Sequence, residues 1–176
     1  RFGMSATLQA SGSQLLQPNL CSFAVRLTSD LSSLDATTGS GTSGVAVDYN
    51  SNGIEIFDRG GDYDLANNKF VVPVTGLYKL NISLRIQNVA SSNFIIGGVR
   101  VLSYTGNGTG TTEADNLYAQ SYSIDGAPPS DFYHTQNSFL CTLTAGVEIE
   151  HVVRSESDTS ITLSSRGCSF SGFLVG

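Results

Sequence analysis

From Tyr78 to Gln87 the chain alternates without a break. Tyr78, Leu80, Ile82, Leu84 and Ile86 are apolar, and Lys79, Asn81, Ser83, Arg85 and Gln87 between them are polar. A helix would scatter the apolar set around its circumference, whereas an extended chain gathers it on one side. The pattern predicts a strand of about nine or ten residues with one buried and one wet face, as antiparallel sheets have. Pro73 and Gly76 stand in its approach, where a fixed φ and a permissive φ suit a turn.

Shorter stretches repeat the theme. SFAVRL (22–27) alternates, VAVDYN (45–50) and IEIFD (54–58) read as short strands around a turn at Asn50–Gly53, and NFIIGGVRVLSY (93–104) reads as a strand bulged at its Gly pair. Tyr118–Ile124, Ser138–Leu143, Val147–Val153, Ile161–Ser164 and the tail CSFSGFLVG continue the series. The segments 35–44, 58–68, 105–116 and 125–131 read as loops and turns, which leaves His134 at a loop edge. About eight to ten short strands at near-regular spacing predict an all-β sandwich or barrel of jelly-roll type. No internal repeat favours a propeller or solenoid. Residues 1–20, polar and small up to Pro18, read as an N-terminal arm or linker, and 21–176 as one domain long enough to enclose a core.

Composition supports this picture. Only 14% of residues are charged, 19 are Gly, and no window has the 3.6 period of an amphipathic helix. No apolar run approaches the roughly 18 residues of a membrane span. The net charge is −6, and the two Lys and seven Arg are dispersed, which argues against nucleic acid and against anionic lipid as partners. The opening RFGMSATLQASGSQ shows no signal-peptide pattern. Cys21, Cys141 and Cys168 are odd in number and widely spaced, so neither a zinc ladder nor a full disulfide framework is read from them; one disulfide plus a thiol, or three buried thiols, remain open.

Little in the chain points to catalysis. GSGTSG (39–44) satisfies G-x-G-x-x-G, but a strand pattern follows it where a phosphate site needs a helix N-terminus. No G-x-S-x-G occurs. His151 shares a strand face with apolar residues and reads as a packed imidazole, and His134 has no acid beside it in sequence. Asp58, Asp62 and Asp64 form the one carboxylate cluster. They could gather oxygens around Ca²⁺, but EF-hand spacing is missing, and a turn whose Asp side chains cap backbone amides is the preferred reading. Asn81 and Asn107 head glycosylation sequons, the first inside a predicted strand and the second in a loop.

The stretch FDRGGDYDLANNKFVVPVTGLYKL (57–80) resembles the central signature of the C1q/TNF-like globular head, through Asp58, Gly60, Tyr63, Asp64, Phe70, Pro73, Gly76 and Tyr78. SFAVRL resembles that family's opening strand and SFSGFLV (169–175) its closing strand. The resemblance implies a ten-strand jelly roll that assembles as a compact homotrimer, with Tyr78, Leu80, Phe170, Phe173 and Leu174 shared between core and subunit contact. It also implies a non-enzymatic role in recognition or assembly. A Cys common before the Pro in animal members is Val72 here, and no collagen-like run precedes the head, so the chain looks more like the trimeric modules of bacterial and tailed-phage surface proteins. By that analogy it decorates a capsid or heads a fibre, with residues 1–20 contacting a capsid, fibre or surface protein. The alternative is a secreted, lectin-like domain that reads a glycan or a protein partner.

Overall fold

The computed structural model describes residues 9–11, 14–16, 21–37, 44–89, 95–103, 117–123, 132–155 and 158–175. Its strands are β1 (Gln9–Ser11), β2 (Gln14–Leu16), β3 (Ser22–Leu27), β4 (Leu31–Leu34), β5 (Val45–Ala46), β6 (Gly53–Arg59), β7 (Tyr63–Asp64) and β8 (Lys69–Val71). They continue as β9 (Gly76–Gln87), β10 (Ile95–Ser103), β11 (Leu117–Ser123), β12 (Tyr133–Leu143), β13 (Glu148–Ser155), β14 (Ile161–Leu163) and β15 (Ser169–Leu174). Among the described residues the helical pieces are one turn, α1 (Tyr49–Asn52), and a 3₁₀ turn at Leu65–Asn67. None is long or apolar enough to cross a membrane.

The chain is an all-β jelly-roll sandwich of two antiparallel sheets. One runs β11–β10–β13–β8–β7, with β5 also on β13. The other runs β4–β14–β9–β15–β3–β6, with β12 along the opposite edge of β9. Among the described residues these two sheets hold thirteen strand segments where ten were expected. The surplus lies in pieces of two to four residues, too short for a period to show in sequence. The hairpin β1–β2 pairs with itself within the segment read as an arm. The rest of residues 1–20, the Gly-rich stretch 38–43, the sequon at Asn107 and the turn 124–131 lie outside the described residues.

β9 explains most of the second sheet. Tyr78, Leu80, Ile82, Leu84 and Ile86 are all buried, as their alternation predicts. One edge of β9 pairs with the whole of β12, from Gly76–Leu143 to Ile86–Tyr133, and the other with β15 and then β14. Two glycines make room for its leucines. A Cβ at Gly172 would stand 2.5 Å from Leu80 Cδ2, and one at Gly97, across the core, 2.7 Å from Leu84 Cδ1. The Gly pair of β10 is therefore a close-approach point and not the expected bulge; the register shifts fall later, at Val99–Arg100 and Val101–Ser103.

Other expectations are corrected. VAVDYN is a strand only at Val45–Ala46, because Asp48 accepts the Ser51 amide at 3.1 Å and starts α1. The strand read at 138–143 begins at Tyr133, which places His134 inside β12 rather than at a loop edge.

The aromatic residues of the signature, Tyr63, Phe70 and Tyr78, lie in the core. Phe23 of β3 stacks on Phe70 at 4.4 Å and on Tyr63 at 5.2 Å, and Phe170 meets it edge-on at 4.8 Å. Tyr78 packs edge-on to Phe70 while its hydroxyl donates to Val74 O at 2.7 Å, tying down the turn that Pro73 opens and Gly76 closes. Phe23 thus joins the two sheets through rings from β7, β8 and β15. Phe23→Ala is expected to cost about 3–5 kcal/mol of unfolding free energy, read as a lower urea midpoint at unchanged slope. A loss below about 1 kcal/mol would show that this cluster does not hold the sheets together.

Candidate functional site

The acidic turn comes first. Asp58 Oδ2 accepts the Tyr63 amide at 2.9 Å across a turn in which Gly60 has φ +117° and Gly61 φ +70°. Asp64 caps the 3₁₀ turn, taking the Asn67 amide at 3.2 Å and the Asn67 side chain at 2.7 Å, and these bonds hold its carboxyl below the usual carboxylate range. Asp62 turns the other way, toward the Cys21 thiol, and burial raises its carboxyl. The three carboxylates therefore serve three local tasks. Among the described residues no three His, Cys, Asp or Glu side chains gather closely enough to hold a metal ion.

The three cysteines are free and buried. Burial, reinforced by Asp62, pushes the Cys21 thiol up to about 12, and burial raises Cys141 and Cys168 to about 11. None is a thiolate nucleophile at neutral pH.

The histidines have different fates. His151 is fully buried, its Nδ1 2.7 Å from the hydroxyl of the equally buried Tyr49 and its ring 5.7 Å from that of Phe170. Desolvation holds the imidazole neutral, down at about 3. Its neighbour Glu150 is buried against Arg100, which binds it through Nε at 2.6 Å. His134 is exposed on β12, with Nε2 3.0 Å from Ser83 Oγ. A serine and a histidine at that distance are raw parts of a nucleophile pair. Here the serine donates to Gly167 O at 2.7 Å, and the imidazole's other neighbour among the described residues is the Gln136 amide at 3.3 Å, not a carboxylate. Among the described residues the pair has no carboxylate partner to orient it.

The outer face of the second sheet remains, and strand register arranges its side chains in rows. Thr142 and Leu77 form the first, with Val175 bonded through its amide to Leu77 O at 2.7 Å. Next come Leu140, Lys79 and Phe173, then Ser138, Asn81 and Ser171, then Gln136, Ser83 and Ser169, and finally His134 and Arg85. β3 and β6 extend the rows with Ser22 and Arg59, Ala24 and Phe57, and Arg26 and Ile54. One end is apolar and open: Leu140 is 58%, Val175 49% and Phe173 43% exposed. The middle is a shallow groove of about 340 Å³ lined by Asn81, Ile82, Ser83, Gln136, Asn137, Ser138 and Ser169. The far end is cationic, with the Arg85 guanidinium 3.5 Å over the Phe132 ring. These rows carry Arg26, Arg59, Lys79 and Arg85 and no carboxylate.

The residues named for core or subunit contact separate in the structure. Tyr78, Leu80 and Phe170 are fully buried inside the chain, Leu174 is half-buried against the core, and Phe173 faces outward. Leu77, Leu140 and Val175 join Phe173 on the outer face and escaped the sequence reading. Each is a single apolar residue at a wet position, and only strand pairing brings them side by side.

No protein-family model matches the sequence, and no curated protein matches it. The fold does have counterparts among solved structures. Murine APRIL at pH 8.0 superposes with a TM-score of 0.58 at 11% identity, over 89% of this chain and 99% of that one. Eiger TNF from S. frugiperda gives 0.59 at 11% identity, over 90% and 94%. The globular domain of zebrafish complement 1qA protein gives 0.51 at 11% identity, over 89% and 98%. The fold of this chain is C1q/TNF-like.

Burial of a neutral His151 makes the chain acid-sensitive. Its folded-state affinity for a proton lies far below that of the unfolded chain, so stability is lost as pH falls from the ordinary value of 6.5 toward about 3, by about 1.4 kcal/mol per pH unit. His151→Gln is expected to be less stable at pH 7 but to show a flatter fall over that window, measured as urea midpoints. Parallel falls for the two proteins would refute the assignment.

Proposed function

We propose that this chain is a non-enzymatic homotrimeric module with a structural or adhesive role at a particle surface, as a capsid decoration or fibre head. The observation that supports it is the open apolar end of the outer face, Leu77, Leu140, Phe173 and Val175, on a fold shared with TNF and C1q globular domains. A ring of three closes through a heterologous contact, so this face meets a different part of the next copy. Charge favours that arrangement. The face carries four cations, and once they are set apart the formal charge of −6 becomes −10 for everything else. A cationic face against an acidic remainder is complementary, and burial of the four apolar side chains adds the non-directional part of the attraction. Residues 1–20 supply the attachment to the particle in this reading.

The groove favours a second reading, a secreted recognition domain that binds a glycan or protein partner. Amides and hydroxyls facing outward from a rigid sheet suit hydroxylated ligands. A glycan array blank for the intact chain would remove it.

Light scattering at micromolar concentration is expected to give three times the chain mass. Leu140→Glu combined with Phe173→Glu should yield a folded monomer, since each places a charge in the dry part of the contact. A wild-type monomer, or a double variant that remains trimeric, would overturn the assembly. Deleting residues 1–20 should leave the trimer intact and abolish its incorporation into particles; undiminished incorporation would overturn the attachment role.

A further inference from the structure

Between the two sheets, His151 fastens one short segment of the chain twice. Its carbonyl accepts the Val47 amide at 2.9 Å, and its Nδ1 lies 2.7 Å from the Tyr49 hydroxyl. We infer that this double attachment is an acid-released latch: protonation of His151 frees Tyr49 and lets α1 and the head of β6 open while the rest of the sandwich stays closed.

Tyr49 is what holds α1 down. It is the one buried residue of that turn, and its ring stands 6.1 Å from the imidazole at an angle of 19°. The other ties of α1 are polar bonds at the surface. The Asn50 amide donates to Asn68 Oδ1 at 2.8 Å, the Ser51 amide to Asp48 at 3.1 Å, and the Thr28 amide to Asn52 O at 2.8 Å. Such bonds exchange for bonds to water at small net cost. The turn passes directly into β6: the Gly53 amide donates to Tyr49 O, and a Cβ at Gly53 would stand 2.9 Å from that oxygen and 2.6 Å from Arg26 O of β3. Among the described strands β6 pairs with β3 alone. An edge strand entered from a single helical turn is an element that opens locally at low free energy.

A proton on His151 has no place to go while the latch is shut. The neutral ring shares one hydrogen bond with Tyr49, and its Nε2 is buried without a hydrogen-bond partner among the described residues. An imidazolium carries a donor on both nitrogens, so its Nε2–H would be buried unbonded. No counter-charge offsets it among the groups packed there. Phe170 of β15 lies 5.7 Å away, Val99 of β10 stands opposite, and Tyr63 of β7 and Cys168 before β15, the titratable groups within electrostatic reach of Tyr49, are kept neutral by burial. Glu150 is next along β13 but on the other face, bonded to Arg100. Burying an unpaired charge costs more than exposing the ring, so the proton enters as the latch lifts. Opening is thereby tied to pH from 6.5, the ordinary imidazole value, down to about 3. β6 carries Ile54 and Phe57 on the outer face, so the latch also regulates that face; this consequence rests on the assembly reading, the latch itself does not.

The test is native-state hydrogen exchange on the full chain, read amide by amide by NMR between pH 7 and pH 4 at low urea. The Val47, Thr28 and Gly53 amides are expected to exchange faster than those of β9 and with little dependence on urea, as a small opening does. Their protection, corrected for intrinsic exchange at each pH, should fall about tenfold per pH unit below 6.5. Tyr49→Phe, which keeps the ring and removes the bond, should lower that protection about tenfold at pH 7 and keep the slope. His151→Gln should abolish the slope. Exchange of these amides in step with β9, at the same urea dependence, would overturn the latch. So would protection that ignores pH, or a slope unchanged in His151→Gln. A chain that is monomeric at pH 7 yet shows the expected exchange would remove the assembly reading and leave the latch. A trimer whose α1 and β6 amides open without regard to pH would remove the latch alone.

Discussion

β9 is bonded along both edges for most of its length, and the arrangement of both faces of its sheet depends on that double pairing. Because side chains alternate at period two, a one-residue slip would drive Lys79, Asn81, Ser83 and Arg85 into the core and expel Tyr78, Leu80, Ile82 and Leu84. Burial of five large side chains makes such a slip prohibitive, and the leucines are fitted further by the missing Cβ atoms of Gly97 and Gly172. The outward row order on β12, β9 and β15 follows from the same register. The apolar end, the polar groove and the cationic end are thus the solvent-side counterpart of the core pattern.

The core closes in a related way. Phe23, Tyr63, Phe70 and Phe170 come from β3, β7, β8 and β15, and their rings bridge the two sheets where Tyr49 and His151 complete the packing. Two polar pairs enter this interior, the Tyr49 hydroxyl on His151 Nδ1 and Glu150 on Arg100, while the Tyr63 hydroxyl and His151 Nε2 are buried without a hydrogen-bond partner among the described residues. Among the described residues the interior offers no activated nucleophile, because burial raises its thiols and lowers its imidazole. The outer face instead carries exposed side chains, and along the rows of β12, β9, β15, β3 and β6 their charge has one sign.

That face divides by length scale. Dispersion and water release act where Leu77, Leu140, Phe173 and Val175 cluster, whereas directional bonds act where Ser, Asn and Gln line the groove. The strands are long enough to keep the apolar end and the cationic end apart. β12 alone runs eleven residues.

Much of the architecture was legible in the chain itself. The alternation of β9, the opening strand at Ser22–Leu27 and the signature from Asp58 to Tyr78 determined an antiparallel jelly roll with those residues in its core, since burial of one face is a local property of period-two patterns. The packed His151 was equally readable, as it lies in an apolar strand. Tertiary structure decided the rest. Tyr78, Leu80 and Phe170 went inside while Phe173 stayed out. His134 joined a strand beside Ser83, and the three turn carboxylates parted to separate amides and a thiol. Leu77, Leu140 and Val175 became one patch with Phe173, and Arg85 came to stand beyond a groove whose lining is drawn from Asn81, Gln136 and Ser169, far apart in sequence. A sequence pattern states which face a residue takes, but its neighbours on that face are set by strand order and register, which only the closed pair of sheets supplies.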